Sequence, residues 1–194
     1  MSQVYDVDGF VVSAEDDTFA PKGVTTAVTG GIPVNGRHSA SGCTALHRAV
    51  AHTCRNVVVA LLAEGADANV KDNIGRTSMW SGAACSTAVI LQLLIDGGGS
   101  VNESDNYGQT PLIALVRFNK GDAAERLQVL LAYFELELDA AYKGMTAEEW
   151  AVGMHRLQLA SVISQERDRR KRWSALRFTW IAATIAPTVT PSIV

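Results

Sequence analysis

Thiol and imidazole side chains gather early in the chain, at Cys43, His47, His52 and Cys54. These are zinc-ligand types, so a metal centre is the first chemistry to weigh. Three residues separate Cys43 from His47 and one separates His52 from Cys54, and neither spacing matches a common zinc pattern. The stretch is therefore expected to be structural, with a metal-binding or enzymatic centre as the alternative of another class. Gly97-Gly98-Gly99 follows a helical pattern instead of leading from a strand into a helix, so it reads as a helix stop and not a phosphate cradle. Glu148-Glu149 is a carboxylate pair, but adjacent helical residues point apart, and acidic residues suit a first helical turn. No G-x-S-x-G, G-x-x-x-x-G-K-[ST] or H-E-x-x-H occurs. The expectation is no catalytic residue, no cofactor and no metal: not an enzyme.

The basic run Arg167-Asp168-Arg169-Arg170-Lys171-Arg172 has three readings. It is first a solvated helix face, then a nuclear-import patch, then the positive flank of a tail that touches a membrane surface. The uncharged stretch after it is broken by Pro187 and is too short to span a bilayer as a helix. Trp173, Leu176 and Trp180 stand at helical spacing, which predicts an amphipathic helix closing the structure.

The elements that must carry these residues emerge from composition and repetition. Of 194 residues, 47% are hydrophobic and 19% charged, a balance that suits a soluble domain with a sizeable core. A net charge of −3 supplies no general field for nucleic acid. Three scattered cysteines, with no basic-then-apolar leader, point to reduced, small buried side chains inside a cell, in the cytosol first and the nucleus second. Gly42-Cys43-Thr44, Gly75-Arg76-Thr77 and Gly108-Gln109-Thr110 recur 33 residues apart, and Gly144-Met145-Thr146 follows 36 residues on. Gly65-Ala66-Asp67-Ala68-Asn69 matches Gly98-Gly99-Ser100-Val101-Asn102 in step.

Each repeated position has a physical reason. Glycine permits a turn with positive φ, threonine caps a helix start, and Pro111 suits a first helical turn. Leu46, Met79 and Leu112 open a buried stripe, while Ala49 and Ala83 let helices approach. Val57, Val58, Leu61, Leu62 and then Ile90, Leu91, Leu94, Ile95 place apolar pairs on a second helix. Gly65 and Gly98 stand where that helix stops.

This text resembles the ankyrin repeat, D-x-x-G-x-T-P-L-H-x-A followed by L-L-x-x-G-A-D-x-N. Gly42 to Ala49 is its best first half. Thr77-Ser78-Met79-Trp80 departs from T-P-L-H, and Ile113 takes the histidine place. The resemblance covers roughly residues 39–165, as three good repeats (39–71, 72–104, 105–140) and a divergent terminal one (141–165). It implies an all-α solenoid of stacked helix-turn-helix units with extended finger loops. Residues 1–38 stand open between an arm and a degenerate capping repeat, although Gly31 to Asn35 resembles a unit's end. Residues 166–194 form a basic helix and tail. An insertion near 119–124 lengthens the loop of the third repeat. Phe134 and Leu138 replace the helix-ending glycine and the turn asparagine, which leaves the last finger's shape open.

The resemblance further implies a monomeric protein-protein interaction module that binds through a concave face of finger tips and first helices. The residues expected there are Arg48, His52, Lys71, Asn73, Ile74, Arg76, Trp80, Asn106, Tyr107, Gln109, Arg117 and Phe118. Tyr, Trp, Ile and Arg are types enriched at binding hot spots. His47 is implied to bond between repeats, and Asn69 and Asn102, as turn asparagines, are implied candidates for hydroxylation. An adaptor or effector fragment addressed by its basic C-terminus is the alternative reading.

Overall fold

A computed structural model describes residues 6–17, 22–118 and 123–185, with side chains up to residue 176. Among these residues, five helix pairs follow one another. They are α1 (Val7–Ser13) with α2 (Lys22–Thr29), α3 (Ala45–Ala51) with α4 (Arg55–Ala63), and α5 (Ser78–Cys85) with α6 (Ala88–Asp96). Then come α7 (Pro111–Phe118) with α8 (Ala123–Leu131), and α9 (Ala147–Gly153) with α10 (Leu157–Ile185). First helices stack on first helices in the order α1, α3, α5, α7, α9. Second helices stack as α2, α4, α6, α8, α10. Neighbouring pairs bury a continuous core of Leu46, Val50, Leu61, Met79, Leu91, Leu94, Leu112, Leu115 and Leu127, so no pair stands alone. Among the described residues, the regular structure is helical apart from a hairpin of two two-residue strands, β1 (Ala141–Tyr142) with β2 (Met145–Thr146).

The repeated residues act where the sequence puts them. Thr44, Thr77 and Thr146 are N-caps, each accepting from the backbone N–H three residues on. Thr110 does the same for Ile113, with Pro111 opening α7. At the end of α6, Gly98 has φ +84°. Its N–H reaches the Ile95 carbonyl and that of Gly99 reaches Leu94, the paired bonds that close a helix through a left-handed residue. Gly75, at φ +81°, is doubly constrained, since a Cβ there would lie 2.2 Å from the Asn106 side-chain oxygen.

The helix pair α1–α2 packs on α3 and α4 in the position of a preceding unit. It is also stitched to its neighbour by polar contacts. The Asn35 side-chain oxygen accepts from the Asp67 N–H at 2.8 Å, as Asn69 does from Ser100 and Asn102 from Glu137. Helix α4 starts at Cys54, which offers no cap, and the Asp17 carboxylate supplies one through the Asn56 N–H at 2.9 Å.

The C-terminal division expected at 165/166 falls inside one continuous helix, α10. The stack is closed by Leu159, Ala160 and Ile163 on its first turns. Trp173 and Leu176, expected to close it, are 60% and 61% exposed, and the side chain of Trp180 lies outside the described residues. Most of the insertion near 119–124 lies outside them as well. Of the three cysteines expected to be buried, only Cys54 is; Cys43 and Cys85 are half-buried.

One local flaw gives a test of this packing. Ser78 is fully buried, and its hydroxyl has no hydrogen-bond partner among the described residues. Ala45, Pro111 and Ala147 hold the same place in the other units. An unpaired buried hydroxyl costs about 1 kcal/mol or more, so Ser78→Ala is expected to raise the urea midpoint of unfolding. An unchanged or lowered midpoint would show that the hydroxyl is bonded.

Candidate functional site

The fingers are built by aspartate. Asp72 Oδ1 accepts from the N–H groups of Ile74 and Arg76 at 3.0 and 2.8 Å, and Asp105 Oδ1 accepts from Tyr107 and Gln109 at 2.9 Å. A buried carboxylate thus holds each tip in a tight turn. Each finger then hangs on the one before it: the Asn73 N–H donates to Ser41 and the Asn106 N–H to Ile74. Their side-chain amides donate the same way, to Ala40 and Asn73. Asn73 and Asn106, expected as partner contacts, therefore spend their amides on holding the finger row.

His47 joins two units. Its Nε2 lies 2.9 Å from the Arg76 carbonyl and its Nδ1 is 3.1 Å from the Thr44 nitrogen. The carbonyl can only accept, so Nε2 carries the proton and Nδ1 accepts from the Thr44 N–H. Burial, above all, pushes its pKa below the usual histidine value. Cys54 donates to the Glu15 carbonyl at 3.1 Å, and burial, first, raises its thiol pKa. Cys54 and His47 are thus committed to packing and hydrogen bonding. Among the described residues, no group of three His, Cys, Asp or Glu side chains converges to hold a metal ion. Asn69 and Asn102 use both ends of their amides, donating to Gly98 and Glu135 and accepting from Ser100 and Glu137.

The expected partner-facing residues divide into three kinds. Arg48 and Lys71 are tied in ion pairs, to Glu15 and Glu103, both at 2.8 Å, and exposed His52 lies 3.8 Å from Glu15. Ile74 is half-buried. Trp80 and Gln109 are corrections, for each is only 6% exposed. Trp80 packs with Ala84, Ala114 and Cys85 in a small cluster separate from the main core. Phe118 lies 5.5 Å from its ring, and the Arg76 guanidinium 5.0 Å. Gln109 is drawn inward because its Nε2 donates to Asp105 Oδ2 at 3.0 Å.

Arg76 pairs with Asp72 of its own finger at 3.3 Å, which leaves Tyr107, Phe118 and Arg117. Tyr107 is 65% exposed at its finger tip and Phe118 45%. Arg117 is half-buried, with its guanidinium 4.8 Å from the rings of both Tyr142 and Trp150 and 5.2 Å from Phe118. Tyr142 and Trp150 stack at 5.8 Å, and the Trp150 indole donates to the Tyr142 carbonyl at 3.1 Å. Such faces attract a cation. Tyr142 and Trp150 carry no repeat signal in the sequence because they belong to the divergent last unit, outside the better-matched fingers.

The basic run is also redistributed. Arg167 pairs with Asp139 and Glu148, and Arg170 pairs with Glu166 while its guanidinium donates to four backbone carbonyls: Leu131, Tyr133, Phe134 and Leu136. These two are built into the unit instead of standing as a solvated face. Lys171 and Arg172 are exposed. Among the described residues, no helix is long and apolar enough to cross a membrane.

Together these features define a class: stacked helix pairs with projecting fingers, which offer a lateral surface. A family model for the ankyrin repeat matches residues 41–73, the unit containing α3 and α4. The chain thus carries an ankyrin repeat within a stack of helix pairs. It is similar to neurogenic locus notch homolog protein 1 of Xenopus laevis, 27% identical over 153 residues that cover 78% of this chain and 6% of that protein. The Homo sapiens protein of the same name is 26% identical over the same extent. Neurogenic locus notch homolog protein 2 of Homo sapiens is 29% identical over 139 residues, 70% of this chain and 5% of that protein. The chain thus spans about 6% of the length of the relatives it matches. Ankyrin repeats are, as a family, protein-protein interaction modules.

Proposed function

We propose that this chain is a non-catalytic docking module that binds another protein through the groove between its finger tips and first helices. One observation carries the reading. Ring and guanidinium contacts run in series through Arg76, Trp80, Phe118, Arg117, Tyr142 and Trp150, with Phe118 exposed on this row and Tyr107 exposed on the neighbouring tip. These are the residue types that dominate binding energy when a partner covers them. The stack itself has no further use for an exposed tyrosine at a finger tip.

The test is site-specific photocrosslinking in extracts of the source cell. A crosslinker at position 107 or 118 is expected to capture a discrete polypeptide. The same group at Val59 or Val89, exposed on the second helices, is expected to capture none. Capture from the second-helix positions alone would place the docking surface on the opposite side and overturn the reading.

A further inference from the structure

Arg117 is held in a way that leaves one edge of its guanidinium unused. Its Nη1 donates to the Gln109 side-chain oxygen. Gln109 is buried, and its amide orientation is fixed by the bond from its Nε2 to Asp105. Tyr142, Trp150 and Phe118 surround the guanidinium. Among the described residues, its Nε and Nη2 meet no hydrogen-bonding partner, and Arg117 forms no ion pair with a carboxylate. An arginine offers its N–H donors in a planar fork that matches a carboxylate through two parallel bonds. Aromatic walls reduce hydration around such a cation and hold its plane. Lys143 adds a second positive charge, exposed at the last finger tip 5.4 Å from the Tyr142 ring, and it too has no carboxylate partner among the described residues.

The local charge therefore opposes the net charge of the chain, which is −3. The nearby carboxylate Asp105 is buried and occupied with backbone N–H groups, so it does not neutralise Arg117. We propose that the docked partner is a protein segment carrying an aspartate or glutamate, whose carboxylate makes a paired hydrogen bond to Nε and Nη2 of Arg117, with Lys143 beside it. Gln109 acts as a positioning residue, since it orients the fork and does not itself meet the partner. This proposal rests on the groove reading above and adds the chemistry of what the groove accepts. An extended polyphosphate chain fits less well, because the site has two cations and is closely walled by rings.

Selection of displayed random dodecamer peptides against the full chain provides the test. The expected result is a consensus with Asp or Glu at one position beside apolar residues. Arg117→Gln is expected to weaken the selected peptides by roughly ten- to a hundredfold, the range for a hydrogen bond to a charged group. Arg117→Lys, which keeps the charge and loses the fork, is expected to recover only part of that. Changing the peptide carboxylate to its amide should cost as much as Arg117→Gln, and the two changes together little more. Thermal melts of each variant separate lost binding from lost folding. Groove-mapped peptides with no acidic position, or acidic peptides indifferent to Arg117→Gln, would overturn the proposal and leave the groove reading standing. Peptides that crosslink only to Val59 or Val89 positions, or no enrichment at all, would count against both.

Discussion

Arg170→Ala is expected to destabilise the C-terminal unit by about 3 kcal/mol, the scale for breaking a buried charge pair. In α4 and α6 a glycine in the left-handed region ends the helix, and two backbone bonds satisfy the last carbonyls. Helix α8 has no such glycine: Phe134 stands in its place. Without another donor the carbonyls of Leu131, Phe134 and Leu136 would be orphaned at this helix end, while that of Tyr133 also accepts from the Leu136 N–H. Arg170 reaches from α10 and donates to all four, at 2.7 to 3.2 Å. Its own charge is balanced by Glu166, and the two side chains are 13% and 10% exposed. The Glu166 carboxyl is held below the usual range, first by its hydrogen bond from Arg169, with burial opposing and Arg170 assisting. Removing Arg170 leaves three carbonyls without a donor and Glu166 with Arg169 as its remaining cation. Repeat stacks couple mainly to nearest neighbours, so the loss should be local. Hydrogen exchange should speed up across α8, the last finger and α10 while α3 to α6 keep their protection. Arg172→Ala, at an exposed position whose Nε reaches only the Asp168 carbonyl of its own helix, should change stability by less than about 0.5 kcal/mol. A uniform or negligible response to Arg170→Ala would remove its capping role.

The same residue shows where the sequence could and could not be read. Glycine-x-threonine at a fixed period is legible because each residue answers a local backbone need: a positive φ, a cap, a helix start. The match of Gly31 to Asn35 with later unit ends is of this kind, and the Asn35 bond to Asp67 follows from it. Arg170 is different. It satisfies an end some 36 residues earlier in the chain, and no local pattern connects Phe134 to it. The packed face of α10 carries Ile163, Glu166, Arg167 and Arg170, so charges interrupt the apolar periodicity and the run looks solvated. Register alone puts Trp80 and Gln109 on the groove. Trp80 sinks into a pocket of small residues, and the Asp105 carboxylate draws Gln109 inward. The surroundings of Arg117 are assembled from α7, β1 and α9, and that convergence exists only once the units stack.

Stability is expected to fall as pH drops below about 6.5, and His47→Ala is expected to cost about 2–3 kcal/mol at neutral pH through lost hydrogen bonds and packing. Both follow from one geometry. Neutral His47 donates from Nε2 to the Arg76 carbonyl and accepts at Nδ1 from the Thr44 N–H. A second proton would sit on Nδ1, facing that N–H, in a site from which water is largely excluded. Burial is accordingly the leading cause of the depressed pKa, ahead of the favourable contact with Arg76 and the field of Asp72. Because the folded value lies below the unfolded one, the unfolded chain takes up the proton first on acidification. The contribution is fully present above the unfolded value of 6.5 and is lost progressively as pH falls towards the folded value. One such group sets a slope of at most about 1.4 kcal/mol per pH unit. Urea titrations at pH 7.5 and pH 5.5 measure it directly. Wild type should lose stability between the two, while His47→Ala should start lower and lose less, because its unfolded chain has one fewer proton to bind. An equal loss in both would mean that the acid sensitivity belongs to other groups and that His47 joins the second and third units by packing alone.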